Sequence, residues 1–215
     1  MSALDWLNGQ AFDIFGQRVI RSDMIGNTMG LIALGLGWRR SIWTWPAQLL
    51  AGVVLVAAYA SAQLSGGVGK QLLVIGVAVW GWYQWRRGHR DQDGEIAVRF
   101  ATRRERGILA GGTAAGTLAV GGLFTAVPEL SWNPWPDAYI FVGTLAAMVA
   151  QARGLVEFWF AWILVDLVGV PLAFSSGLAF SGLVYVVYLV LVLWGMRDWW
   201  LRTRSPGPAL EGAAA

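Results

Sequence analysis

The chain has 215 residues, a formal net charge of +3, 56% apolar and 13% charged side chains, and a mean hydropathy of +0.53. Soluble domains carry roughly a quarter of their residues as charges. Here the apolar residues run in long blocks of membrane-spanning length, which excludes a water-solvated globular domain. The absence of cysteine excludes disulfides, thiol catalysis and thiolate-ligated metals.

Residues 1–22 form an N-terminal amphipathic segment. Trp6, Leu7, Phe12, Phe15 and Ile20 lie among polar residues, which predicts a helix along the membrane surface. The segment lacks a basic start followed by an apolar run, so no cleavable signal peptide is read. Apolar blocks then predict seven transmembrane helices: Asp23–Gly37, Trp43–Ala62, Gly69–Trp85, Gly107–Val127, Asp137–Gln151, Leu155–Phe174 and Gly177–Trp199. A polar loop, 86–106, separates the third from the fourth. It holds the single histidine, His89, read as a solvated side chain. The tail, 200–215, with Pro206, Gly207 and Pro208, is read as disordered.

Basic residues near helix ends are retained in the cytoplasm. With the N-terminus outside, thirteen arginines fall on the inner side, and only Arg18, Arg21 and Lys70 fall outside. This predicts a multi-pass plasma-membrane protein with its N-terminus outside and its C-terminus cytoplasmic. The positive balance therefore needs no nucleic-acid partner. Trp38, Trp43, Trp85, Trp132 and Trp135 fall at expected helix ends, as interfacial anchors do.

The sequence also repeats at an offset of 114 residues. Asp23 falls on Asp137, Arg39 on Arg153, Trp45 on Trp159, Trp80-Gly81 on Trp194-Gly195 and Trp85 on Trp199, so W-G-x-x-x-W closes both halves. The first repeat spans 23–85 and the second 137–199. A linker helix, 107–127, restores parallel orientation. The expected fold is all-α and integral to the membrane, with seven helices in a 3+1+3 arrangement of two parallel three-helix repeats. In such transporters the substrate sits at the repeat interface near the midplane. The linker helix is rich in glycine and alanine, which let helices approach closely in lipid.

Candidate binding residues cluster on the sixth helix. Trp159, Trp162 and Asp166, spaced by three and four, share a face. An ionisable residue halfway through a span costs roughly 2.5–3.5 kcal/mol, so Asp166 is read as facing a polar cavity, or else as bonded to a neighbouring helix. Two indoles beside a polar group suit a flat heteroaromatic ligand. The repeat maps Trp159, Trp162 and Asp166 onto Trp45, Gln48 and Gly52. Gln48 is thereby a cavity candidate, with Trp45 one turn away. Asn27, Tyr185, Tyr188 and Gln151 complete the candidate substrate-binding set, each with core packing or interfacial placement as its alternative. Asp23 and Asp137 are read as helix caps, and Glu157 as an i,i+4 partner of Arg153. Hydrolytic, metal-ligating and phosphate-loop motifs are absent, so the chain reads as neither an enzyme nor a cofactor protein. The loop 86–106 is too short for a receptor's soluble domain.

W-x-x-W followed by a polar residue, the W-G-x-x-x-W endings and the three-one-three layout resemble the PnuC vitamin transporters. The plan is similar to that of SWEET sugar transporters. The resemblance covers 23–199 and is nearest to the actinobacterial riboflavin-carrying branch, over Trp38 to Pro46 and Tyr139 to Trp199. It implies facilitated diffusion of riboflavin and analogues such as roseoflavin, a lining that includes Trp159 and Trp162, and a homotrimer. Nicotinamide riboside as substrate remains open, because Asp166 stands where an Asn is the usual pattern; so does proton coupling through Asp166.

Overall fold

A computed structural model describes residues 6–7, 9–14, 16–61, 65–88, 96–131, 133–175 and 179–204. His89, Trp132 and residues 205–215 of the tail lie outside these; residues 200–204, expected as part of a disordered tail, instead continue the last helix, which ends at Arg204. Seven long α-helices occur among the described residues. They are α1 Arg21–Trp38, α2 Thr44–Ser61, α3 Ser65–Arg87, α4 Arg103–Ala126, α5 Pro134–Ala152, α6 Glu157–Ser175 and α7 Ala179–Arg204. Each corresponds to an expected span, with ends displaced by a few residues. The largest displacement at an N-terminus, apart from that of α3, is at α4, which begins in the expected loop. Thr102 caps it: its hydroxyl accepts from the Glu105 backbone N–H at 3.2 Å, and the Glu105 carboxylate accepts from the Thr102 N–H at 2.9 Å. This reciprocal capping box starts the helix at Arg103.

The N-terminal segment departs from expectation. Trp6 and Leu7 are helical, but over the expected helix's second half Gln10–Ile14 (β1) and Gln17–Ile20 (β2) pair instead as an antiparallel hairpin. Gly16 at the turn has φ 74°, a conformation that glycine adopts without strain. Arg21 locks the hairpin onto α1: its guanidinium donates to the Trp6 carbonyl at 3.0 Å and lies over the Trp6 ring.

Sequential helices pack as neighbours within α1–α2–α3 and within α4–α5–α6–α7, and the two sets meet through α3 against α5 and α1 against α7. By length and composition, Arg103–Ala126, Glu157–Ser175 and Gly182–Leu201 can each cross a bilayer; Met24–Trp38 and Thr44–Ala57 are shorter apolar helices. The outward surface is strongly apolar. Leu118, Val53, Leu167 and Leu164 are each more than half exposed. A water-solvated monomer does not expose so continuous an apolar surface, and the chain is a membrane protein.

Two tryptophan clusters build the core at one end of the bundle. In the first, Trp45 meets Trp85 edge to face at 5.5 Å; in the second, Trp159 meets Trp199 edge to face at 5.7 Å, and all four rings are buried. Each lower ring lies on a glycine. A Cβ on Gly81 would run into the Trp45 ring, and one on Gly195 into the Trp159 ring. The G of W-G-x-x-x-W is thus a shelf for an indole, and the closing W is its edge-on neighbour. Trp85, expected as an interfacial anchor, is core, whereas Trp43 and Trp135 are exposed.

Two smaller readings also change. Glu157 pairs with Arg106 at 2.8 Å, while Arg153 approaches Glu105 at 3.7 Å. Gly154, at φ 65°, breaks the helix between Arg153 and Glu157, so the i,i+4 geometry never forms. Asp137 is not the cap of α5, a position held by Asn133; its carboxylate instead accepts a hydrogen bond from the Ser131 hydroxyl. The side chain of Asp23 lies outside the described residues.

Candidate functional site

A cavity of about 420 Å³ lies among α1, α2, α3, α5, α6 and α7. Its volume falls in the range of small-molecule sites. Most of the candidate residues converge on it. Asn27 comes from α1, Gln48 from α2, Gln151 from α5, Trp162 and Asp166 from α6, and Tyr185 and Tyr188 from α7. Glycines make room for them: a Cβ on Gly30 would meet the Tyr188 hydroxyl, and one on Gly169 would lie 2.9 Å from the Tyr185 ring. The Tyr188 hydroxyl donates to the backbone carbonyl of Asn27 at 3.2 Å, tying α7 to α1 across the cavity wall.

The polar groups are only partly satisfied. Gln48 Nε2 donates to Gln151 Oε1 at 3.4 Å, leaving Gln48 Oε1 buried and without a hydrogen-bond partner among the described residues. Asp166 is 1% exposed, and its Oδ2 likewise has no partner. No lysine or arginine is among the described lining residues. Buried acceptors left unmade cost free energy, so both are poised to take donors from a bound molecule. Beside them, Trp162 offers a flat apolar face one turn from Asp166.

Trp45 and Trp159 do not line the cavity. Both are completely buried, in the two tryptophan clusters. The helical phase is right, since Trp159 and Asp166 share a face. The depth is wrong: seven residues at 1.5 Å place Trp159 about 10 Å below Asp166, in the layer that closes the cavity. That layer is fastened by Trp85 Nε1 donating to the Gln151 carbonyl at 3.0 Å, Trp199 Nε1 to the Trp38 carbonyl at 2.9 Å, and Thr44 Oγ1 to the Ala33 carbonyl at 2.7 Å. Gln151, weighed as interfacial, is 2% exposed and belongs to the floor.

Two polar lining residues went unread in the sequence, Gln71 on α3 and Thr144 on α5. Thr144 spends its hydroxyl on the Ile140 carbonyl of its own helix at 2.7 Å. The offset that carries Gln48 to Trp162 also carries Gln71 to Tyr185, a signal that was available.

A larger groove, about 680 Å³, runs between α4, α5 and α6. Its walls are almost entirely aliphatic and aromatic, and its two charged groups, Arg106 and Glu157, neutralise each other. Among the described residues its unpaired polar group is a single hydroxyl, that of Thr117. On the polar face nearby, hydrogen bonding to Glu105 raises the pKa of the Arg99 guanidinium further, against the opposing effect of burial.

Comparison with known proteins agrees with this architecture. The profile of the nicotinamide mononucleotide transporter family matches residues 21–201. The chain is 62% identical over 214 residues, 99% of its own length and 100% of the relative's, to the riboflavin/roseoflavin transporter RibM of Streptomyces davaonensis. It is 21% identical over 208 residues, 86% of this chain and 87% of the other, to the nicotinamide riboside transporter PnuC of Escherichia coli. A crystal structure of the vitamin B3 transporter PnuC superimposes with a TM-score of 0.68 at 19% identity, over 85% of this chain and 81% of that one, which establishes a shared fold.

Proposed function

This chain belongs to the nicotinamide mononucleotide transporter family, and from that premise we propose that it imports riboflavin and analogues such as roseoflavin by facilitated diffusion. The observation that carries the substrate is the 62% identity to a riboflavin/roseoflavin transporter over essentially the whole of both chains. The cavity's chemistry accords with it. Isoalloxazine is a large flat ring with a hydrogen-bonding edge, which suits Trp162 beside Asp166; the ribityl chain brings hydroxyl donors for acceptors such as Gln48 Oε1. The residues assigned to binding are Asn27, Gln48, Gln151, Trp162, Asp166, Tyr185 and Tyr188, with Trp45 and Trp159 as the supporting floor.

The proposed architecture is 3+1+3: two parallel three-helix repeats, 23–85 and 137–199, joined by α4, with the N-terminus outside and the C-terminus cytoplasmic. In its support, the two tryptophan clusters recur at the 114-residue offset with matching edge-to-face geometry. Backbone with φ above zero recurs too, at Arg40 (56°) and Gly154 (65°). Transport proceeds by rocking one repeat against the other about the cavity, without ion coupling, in a protein that assembles as a homotrimer in the plasma membrane.

Binding to the purified protein, followed by tryptophan quenching with riboflavin and nicotinamide riboside side by side, tests the substrate. Binding of riboflavin alone is expected; binding of nicotinamide riboside alone overturns the assignment while leaving the cavity reading intact. Uptake into proteoliposomes with and without a pH gradient tests the uniport. A rate that follows the gradient, and loses that dependence in Asp166→Asn, replaces facilitated diffusion with proton coupling.

A further inference from the structure

The two walls of the cavity differ in chemistry, and the difference gives the ligand a direction. The wall from α1, α2 and α3 carries amides, Asn27, Gln48 and Gln71, among glycine, alanine and aliphatic residues. The wall from α6 and α7 carries rings, Trp162, Tyr185 and Tyr188, with Asp166 at their edge. Polyol hydroxyls each donate and accept, as carboxamides do, and find matched partners on the first wall. A fused aromatic ring system finds stacking partners on the second.

Gln71 holds a particular place on the first wall. It enters the cavity over Gly52. A Cβ at position 52 would lie 2.7 Å from Ile75 Cγ1 and 3.2 Å from Gln71 Nε2, so glycine here gives Ile75 room and lets the amide approach α2 closely. At the 114-residue offset, Gly52 and Gln71 correspond to Asp166 and Tyr185. Where the second half sets a carboxylate beside a phenol, the first half sets an amide over an empty position. One turn of α2 from Gly52, Gln48 Oε1 is buried without a partner among the described residues. An unpartnered acceptor and an amide on neighbouring helices can each meet a hydroxyl of a polyol chain.

We propose that Gln71 is a specificity-determining residue that reads the hydroxylated chain of the flavin, so that the ligand lies across the cavity with its ribityl chain against α2–α3 and its ring against α6–α7. This rests on the riboflavin reading and assigns the two ends of that ligand to the two halves of the protein.

Lumiflavin, which carries the same ring with a methyl group in place of the ribityl chain, separates the ends. Its affinity and that of riboflavin are measured for the full-length purified protein and for Gln71→Met, which keeps length and volume while removing both polar atoms. Riboflavin is expected to bind the variant about tenfold more weakly, the loss of one or two hydrogen bonds, with lumiflavin unchanged. Trp162→Leu is expected to weaken both flavins alike. Equal loss of both flavins in Gln71→Met, or no loss of either, overturns the orientation. Gln71→Asn, which restores an amide on a shorter stem, must recover part of the riboflavin affinity without moving lumiflavin; failure to do so also counts against it. If neither flavin binds the unmodified protein, it is the riboflavin assignment that falls.

Discussion

The indole of Trp85 donates to the main-chain carbonyl of Gln151 at 3.0 Å, so the end of α3 is tied to the end of α5 directly beneath the cavity. The carbonyl belongs to the last turn of α5 and already accepts from the Gly154 backbone N–H at 2.9 Å, so the indole takes its second lone pair. Trp199 makes the corresponding tie from α7 to the Trp38 carbonyl at the end of α1, at 2.9 Å. Both closing tryptophans of the W-G-x-x-x-W motifs therefore fill a ring site and also cap a helix. Trp85→Phe and Trp199→Phe keep the ring and lose the cap. Trp199→Phe leaves the part-buried Trp38 carbonyl without its indole donor and is expected to cost about 1–3 kcal/mol, whereas Trp85→Phe, in which the Gln151 carbonyl keeps its Gly154 bond, is expected to cost about 0.5–1.5 kcal/mol, each read as a lowered Tm of the purified protein. An unchanged Tm in both would show that these carbonyls find other donors.

Trp159 and Trp162, three residues apart, are expected to separate cleanly on mutation. Trp159 has no exposed surface and packs against Phe158 at 4.1 Å and Trp199 at 5.7 Å. Trp159→Ala removes those contacts and is expected to destabilise by about 3–5 kcal/mol, with loss of expression or thermal stability ahead of any change in affinity. Trp162 lines the cavity and is only partly buried. Trp162→Ala is expected to leave Tm nearly unchanged and to weaken riboflavin about tenfold or more, the scale of one lost aromatic stack. The reverse pattern would place the floor and the wall the other way round.

The glycines give a graded test. Cβ atoms at Gly81 and Gly195 would both run into an indole ring that is completely buried and packed edge to face by a second ring, so the indole has no room to yield. Gly81→Ala and Gly195→Ala are expected to abolish folded protein. On α4, a Cβ on Gly116 would come 2.8 Å from Val142 and one on Gly121 would come 2.5 Å from Trp135 of α5, whereas a Cβ on Gly111 or Gly112 would meet nothing within 4 Å. Gly116→Ala and Gly121→Ala should loosen the α4–α5 contact and lower Tm, and Gly111→Ala and Gly112→Ala should not. Fluorescence-detected size exclusion with heating distinguishes them. Equal behaviour of all four would mean that α4 has no fixed face.

These residues also show what the sequence made legible. Apolar blocks and glycine-rich stretches locate the helices because the bilayer fixes their length, and helical phase brings Asn27, Gln48, Trp162, Asp166, Tyr185 and Tyr188 to one cavity. Phase reports azimuth but not depth, which is why Trp45 and Trp159, sharing the right face, lie in the floor instead. The pairing of Glu157 with Arg106 was hidden because it joins α6 to the start of α4, 51 residues away. The hairpin at Gln10–Ile20 was hidden because an isolated glycine turn in an eleven-residue stretch competes with a plausible apolar helical face. Gln71 was missed for a different reason: an isolated amide in an apolar helix carries no signal until the repeat offset is applied to Tyr185.

Asp166 supplies the sharpest separation of stability from function. Its carboxylate is buried, with Oδ2 unpartnered and no basic residue among the described lining. A buried polar group in that condition is a standing cost to the unliganded fold. Replacing it with an apolar side chain of similar size removes the cost, as it does when both partners of a buried polar contact are absent. Asp166→Leu is therefore expected to raise the Tm of the ligand-free protein, while riboflavin binding falls by about tenfold or more for the lost acceptor. The gain in Tm on adding saturating riboflavin, present in the unmodified protein through mass action, should shrink in the same variant. A structural carboxylate bonded to a neighbouring helix would give the opposite sign, a lowered Tm with ligand stabilisation retained, and the pair of melting curves, with and without riboflavin, decides between the two roles.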